Sequence, residues 1–198
     1  MSVIDIMVDC ETLDNKAGAI ITQIGAASFD RNTGKVLDTF DINIDAESCE
    51  QLGMTMSAST IMWWLHNRRS QKARDSLINP QPEPVTIALK KFNTWVAERR
   101  HELTDTVLLW CHASFDFPIV NRAFEICDIK PMWGHTQYRD IRTVTDLAGI
   151  NPNDFKMEDG DAHNAMADTL NQIRYTCEAI HKLTHPVVYE DHATFNLT

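Results

Sequence analysis

Hydrophobic and polar positions divide the chain into short, well-punctuated elements. Residues 3–9 (Val-Ile-Asp-Ile-Met-Val-Asp) are rich in β-branched side chains and read as a strand. Residues 20–29 and 35–45 read as two more. The turn-forming cluster Asp30-Arg31-Asn32-Thr33-Gly34 between them predicts an antiparallel hairpin. Residues 107–111 are continuously apolar, which suits a buried central strand. Ser57 is the expected N-cap of a helix through Trp63, Trp64 and Leu65, and a further helix is expected over 71–78. Three prolines among residues 79–84 exclude a helix there and predict an extended connector. Residues 85–100 are helical by pattern, with Ile87, Phe92, Trp95 and Val96 set against Lys90, Lys91 and Arg99. Ser114 is expected to cap a helix whose stripe is Phe117, Val120, Phe124 and Cys127. Residues 139–148 read as a short helix or a strand–helix unit. A last helix over 161–182 carries the stripe Met166, Leu170, Ile173, Cys177 and Ile180. A hairpin followed by strands alternating with helices predicts an α/β fold with a mixed central sheet flanked by helices.

Composition narrows the class. In 198 residues, 43% hydrophobic and 23% charged side chains describe a globular chain able to bury a core without disulfides. The charge, 18 basic against 28 acidic residues or −10, excludes a basic coat, so a polyanion would have to be met by local cations or bound metal ions. No apolar run approaches the roughly 20 residues of a membrane span, and Met-Ser-Val-Ile-Asp is not the start of a signal peptide. Five scattered cysteines without a CxxC pair predict reduced thiols and a cytoplasmic setting.

Five residues have the chemistry of a site. Asp9 and Glu11 end the first strand two positions apart, so they share a face and repel each other unless a cation intervenes. Alone, the pair is more often strand-end solubility. Asp116 opens the helix after the buried strand; alone, it reads as a first-turn acid favoured by the helix dipole. His163 precedes Asp168 by five residues among three alanines, which would let a helix approach other backbone closely. Asp168 lies about 200° around the helix from Met166. It is therefore off the apolar stripe, with Asn171 and Tyr175, and faces either solvent or a cleft.

Together and in this order, Asp9-Cys10-Glu11, Asp116 and His163-x4-Asp168 resemble the histidine branch of the DEDD superfamily of 3′→5′ exonucleases, over roughly residues 3–180. Thr60-x-x-Trp63-Trp64 and Arg139-Asp140-x-Arg142-Thr143 are most similar to a small bacterial and phage group assigned to both RNA and DNA. The resemblance implies a ribonuclease H-like domain over residues 1–183, with 184–198 as a tail. It implies two Mg²⁺ or Mn²⁺ ions, roughly 4 Å apart, held by Asp9, Glu11, Asp116 and Asp168. Asp9 would serve both ions, Glu11 and Asp168 the ion on the nucleophile's side, and Asp116 the other. His163 would act as the base toward the attacking water. The substrate would be the 3′ end of a single-stranded nucleic acid and the products nucleoside 5′-monophosphates, with no membrane partner; a homodimer is one arrangement the resemblance allows. Thr12, Leu13, Trp64, Phe115 and Arg142 are the candidate substrate contacts, with stacking on bases worth about 1–3 kcal/mol each. Adjacent helix positions diverge by about 100°, so at least one of Trp63 and Trp64 belongs to the core. Arg68, Arg69, Lys72 and Arg74 read as a solvated helix face, and Arg142 has Asp140 as an alternative partner. One departure is Thr12-Leu13-Asp14 where many relatives have Thr-Gly after the glutamate, which implies a different loop beside the terminal nucleotide. A catalytically silent binding module and a metal phosphohydrolase of small molecules are the competing readings. The sugar is left open.

Overall fold

The computed structural model describes residues 2–66, 74, 81–100, 105–157 and 163–185. Strands β1 (Val3–Thr12), β2 (Ile21–Phe29) and β3 (Val36–Asn43) come first. Helices α1 (Ala46–Gln51), α2 (Ala58–His66) and α3 (Val85–Glu98) follow. Then come β4 (Thr106–Cys111), α4 (Asp116–Ile126), β5 (Tyr138–Asp140), α5 (Ile141–Ala148) and α6 (Ala165–Thr184). The strands form one sheet in the order β3-β2-β1-β4-β5. The first three are antiparallel neighbours, and β4 runs parallel to both β1 and β5. This is the α/β class and the mixed sheet that the sequence pattern predicts.

The sheet is covered on both faces, and strand alternation sorts side chains between them. Ile6, Val8 and Cys10 enter one core with Phe92, Phe124 and Leu109, while Met7 enters the other with Ala27, Trp110 and Ile173. Asp9 and Glu11 share the parity of Met7, so they point to the α6 side. Because β1 and β4 are parallel, their C-terminal ends lie at the same edge. That is where side chains gather in open α/β sheets, and here it brings Asp9 and Glu11 beside the turn that leads into α4.

Helix α6 sits unusually close to β2. A Cβ on Gly25 would lie 2.4 Å from the carbonyl carbon and oxygen of Ala165, and the Thr169 hydroxyl donates to the Gly25 carbonyl at 3.0 Å. The expected stripe of α6 holds for Ile173 and Cys177, which are buried, and for Met166 and Ile180, which pack against them; the close approach corrects it at Leu170. The face pressed on the sheet is Ala165, Thr169, Gln172, Ile173, Thr176 and Ala179, whereas Leu170 is 39% exposed. Where the helix comes closest, at Ala165 and Thr169, small side chains fill a gap too narrow for leucine. Gly25→Ala is therefore expected to cost about 3 kcal/mol by overpacking and to lower the melting temperature by about 6–12 °C. Thermal unfolding measures this, and an unchanged midpoint would refute the close contact.

Smaller expectations are also corrected. Ser57 caps α2 as anticipated, its Oγ accepting from the Thr60 N–H at 3.2 Å. Ser114 does not cap α4; the N-cap is Phe115, without a side-chain bond, and Ser114 turns toward Arg142. Ile87 is 42% exposed, since α3 buries Val85, Ala88, Leu89, Phe92, Trp95 and Val96 instead. The helix expected over 71–78, apart from the helical Arg74, the beginning of the one expected over 161–182, and nearly all of the tail lie outside the described residues. All five thiols are free. Among the described residues no helix is long and apolar enough to cross a membrane.

Candidate active site

At the C-terminal edge of β1 and β4 opens a cavity of about 1300 Å³, bordered by Asp9, Glu11, Trp63, His112, Phe115, Arg142, His163 and Asp168. Each acid is delivered by a different local device. Asp9 and Glu11 come from the strand end, 8% exposed each. Asp116, wholly buried, is pinned from the first turn of α4. Its Oδ1 accepts from the Cys10 N–H and Sγ, both at 3.3 Å, and its Oδ2 from the His112 N–H at 3.0 Å. Asp168 lies in the first turn of α6 and accepts from the His163 N–H at 2.9 Å. That bond holds His163 in the left-handed region at φ 63°, uncommon for a residue with a side chain.

The start of α6 is itself fixed by Gln23 of β2. The Gln23 Oε1 accepts from the Ala165 N–H at 3.0 Å and its Nε2 donates to Asp41 at 3.0 Å, while Asn164 caps the helix through Ala167. The third-motif histidine and aspartate are thereby tied to the sheet that carries the first motif.

Ligand atoms fall into two groups, Asp9 with His112 and Asp116, and Glu11 with His163 and Asp168; within each group they lie no more than 4.8 Å apart. The electrostatics follow from crowding anions in a buried place. Burial, followed by the charges of Asp116, Glu11 and Asp168, holds the Asp9 carboxyl well above its ordinary range. Burial and then Asp168 and Asp116 push Glu11 to about 8. Burial pushes Asp116 and Asp168 each to about 6. Burial likewise lowers His163, and burial together with Arg142 lowers His112 to about 4, so both imidazoles are neutral proton acceptors at neutral pH.

The five motif residues thus converge. The expected substrate contacts divide. Phe115 and Arg142 border the cavity. Thr12 borders it too, although its hydroxyl is committed to the Asp14 carbonyl at 2.6 Å. Leu13 is corrected: it is a core residue, 9% exposed, drawn inward as its N–H pairs with the Ile20 carbonyl at 3.0 Å. Trp64 is corrected in part. It borders the cavity but is 4% exposed, its indole N–H donating to the Thr12 carbonyl at 3.0 Å. Trp63 is the tryptophan open to solvent, 45% exposed, with its ring 4.6 Å from that of His163 at 88°. Arg139 is spent on the carbonyls of Thr136 and Tyr138.

Two residues escaped the sequence reading. Gln172 donates to Asp9 Oδ1 at 2.6 Å, and His112 stands 3.7 Å from Asp116. Each lies four positions from a motif aspartate, the spacing of one helical turn, but Gln and His are too common at such spacings to stand out.

A mixed five-stranded sheet with flanking helices and an acidic cavity at its strand ends is the architecture of ribonuclease H-like 3′→5′ exonucleases. The chain belongs to the family of Rv2179c-like 3′-5′ exoribonuclease domains, whose model it matches over residues 4–180. Among solved structures it is similar to the nuclease domain of 3′hExo, a DEDDh family member bound to rAMP, with TM-score 0.57 and 12% identity over 90% of this chain and 92% of that one. It is also similar to the 3′-exonuclease of a histone mRNA stem-loop complex, with TM-score 0.62 and 12% identity over 90% and 82%. The E. coli ExoI–ssDNA complex gives TM-score 0.63 and 15% identity over 94% of this chain and 42% of that longer one. No curated protein matches the sequence. At these identities the structural likeness is one of fold; the enzyme class, 3′→5′ exonuclease, comes with the family.

Proposed function

We propose that residues 1–183 form a metal-dependent exonuclease unit that removes nucleoside 5′-monophosphates from single-stranded 3′ ends. The observation that carries this reading is the convergence of four carboxylates, three buried and that of Asp168 half-buried, from β1, α4 and α6, in two sets with imidazoles. Each carboxyl is pushed upward by burial or by its neighbours. Oxygen-rich donor sets of this kind fit hard divalent cations such as Mg²⁺ or Mn²⁺. Asp9 and Asp116 would hold one ion and Glu11 and Asp168 the other, and Asp9, on whose carboxyl the charges of Glu11 and Asp168 act, would serve both. When bound, the ions neutralise the carboxylates and the phosphate and make water more acidic.

The chain's own residues do the rest. Neutral His163 takes a proton from the water as its oxygen attacks phosphorus. The bond from phosphorus to the 3′ oxygen of the preceding nucleotide breaks, and that oxygen takes a proton from solvent. Gln172 fixes the Asp9 carboxylate, and the Asp168–His163 backbone bond fixes the histidine beside it. Trp63 and Phe115 border the cavity and would meet the terminal bases.

The test is incubation with Mn²⁺ of matched single-stranded RNA and DNA oligomers and of a simple phosphate monoester. Stepwise mononucleotide release from either oligomer supports the reading; hydrolysis of the monoester alone would sink it. In the same assay His163→Ala is expected to lower turnover about 10²–10⁴-fold, while Mn²⁺ affinity read by calorimetry changes far less. Lost affinity with normal turnover of the loaded enzyme would make His163 a ligand and not the base.

A further inference from the structure

Among the described residues, Arg142 and Lys156 are the lysine and arginine side chains that border the cavity of a protein with a net charge of −10. Arg142 is exposed, in the first turn of α5, and its Nη1 donates to the Ser114 hydroxyl at 3.0 Å. The neighbouring acid does not neutralise it. Asp140 is spent as the cap of α5, accepting from the Ala113 N–H and from the Thr143 N–H and hydroxyl. No described carboxylate lies within ion-pair distance of Arg142. A guanidinium on the wall of an acidic cavity, braced by Ser114 and unpaired among the described residues, awaits an anion.

Position says which anion. Ser114 belongs to the turn between His112 and Asp116, so Arg142 is braced at the Asp9–His112–Asp116 end of the cavity. Its charge also acts on His112 and Tyr175, two other residues of the wall. His163, the proposed base, stands at the Glu11–Asp168 end. In a phosphoryl displacement the attacking and departing oxygens lie roughly in line, on opposite sides of phosphorus. Water activated at the His163 end therefore expels the 3′ oxygen toward Arg142. The rest of the strand, whose next anion is its own phosphodiester, leaves the cavity on that side.

Resting on the exonuclease reading above, we infer that Arg142, braced by Ser114, is the subsite for the phosphodiester one nucleotide upstream of the scissile bond. It makes the trinucleotide the shortest fully bound substrate. A dinucleoside monophosphate has only the scissile phosphodiester, whereas a trinucleoside diphosphate also has the upstream one. A charged hydrogen bond of this kind corresponds to about a ten- to hundredfold preference for the trimer in kcat/KM.

The experiment compares the two substrates in the wild type, Arg142→Gln and Arg142→Lys. The expected result is a trimer-over-dimer preference that collapses toward one in Arg142→Gln and returns partly in Arg142→Lys. The salt dependence of trimer cleavage should also become shallower by about 0.7 in log–log slope in Arg142→Gln, one phosphate contact fewer on a single strand. A wild type without trimer preference, or a preference and salt slope that survive in Arg142→Gln, overturns the subsite. A wild type that cleaves the single-stranded oligomers but neither short substrate also overturns the subsite, whereas one that releases no mononucleotide from the oligomers either overturns the exonuclease reading itself, so the two failures are told apart.

Discussion

Replacing Asp9 by Asn is expected to abolish mononucleotide release, by about a thousandfold or more, while making the metal-free protein more resistant to heat. The first half follows from position. Asp9 belongs to the group with His112 and Asp116 and is acted on by the charges of Glu11 and Asp168 in the other group, and Asn keeps its shape but not its charge. Loss of a charged ligand removes several kcal/mol of transition-state stabilisation, and each 1.4 kcal/mol is about tenfold in rate. The second half follows from cost. Asp9 is buried beside Asp116, Glu11 and Asp168, and burial and all three charges oppose its ionised form. The Gln172 amide that donates to Asp9 Oδ1 at 2.6 Å has an equivalent acceptor in the Asn carbonyl, so that donor keeps a partner, and the new amide N–H groups face the remaining carboxylates. Activity on a 3′-labelled oligomer and thermal unfolding in chelator check the two halves together. A variant as active as the wild type defeats the site assignment; one that is inactive and less stable shows that Asp9 organises the fold instead of straining it.

Much of this site was legible because its geometry is short-range. The parity of Asp9 and Glu11 on one strand, the position of Asp116 just past a buried strand, and the place of Asp168 off the apolar stripe of α6 all follow from residue spacing. The alanines around His163 and Asp168 announced a close approach, and the backbone of Ala165 lies where a Cβ on Gly25 would be. What failed depended on tertiary partners. Leu170 was placed in the stripe for hydrophobicity, but the space above Gly25 admits only small side chains, so Thr169 went inside. Leu13 looked like a loop tip poised for a base, yet pairing with Ile20 folds it inward. Ser114 has the composition of a cap, but an arginine 28 positions later competes for its hydroxyl. Of two adjacent tryptophans, the buried one is the one whose indole finds the Thr12 carbonyl, a choice no helical wheel contains.

The same crowded carboxylates should make stability respond to pH and to divalent cations in a linked way. With chelator present, the folded-state pKa values of Glu11 at about 8 and of Asp116 and Asp168 at about 6, with Asp9 also raised, all exceed those of an unfolded chain, near 4. The folded state then binds more protons than the unfolded state. The stability these groups contribute is fully present below the unfolded pKa and is lost as pH rises through 6 and then 8. The melting temperature in chelator should thus fall between about pH 5 and pH 8.5, against the usual expectation of a broad plateau there. Mg²⁺ or Mn²⁺ competes with those protons for the same oxygens. A saturating cation, at about a hundred times its dissociation constant, stabilises by about 2.7 kcal/mol, or about 5–10 °C for a chain of this size. That gain should appear near pH 8.5 and shrink near pH 5, where protons already neutralise the cluster. Asp9→Asn should flatten both the fall and the gain, because it removes the charge that the other three most oppose. A melting temperature indifferent to pH in chelator, or a cation effect as large at pH 5 as at pH 8.5, would show that the four acids do not share one charge-starved site.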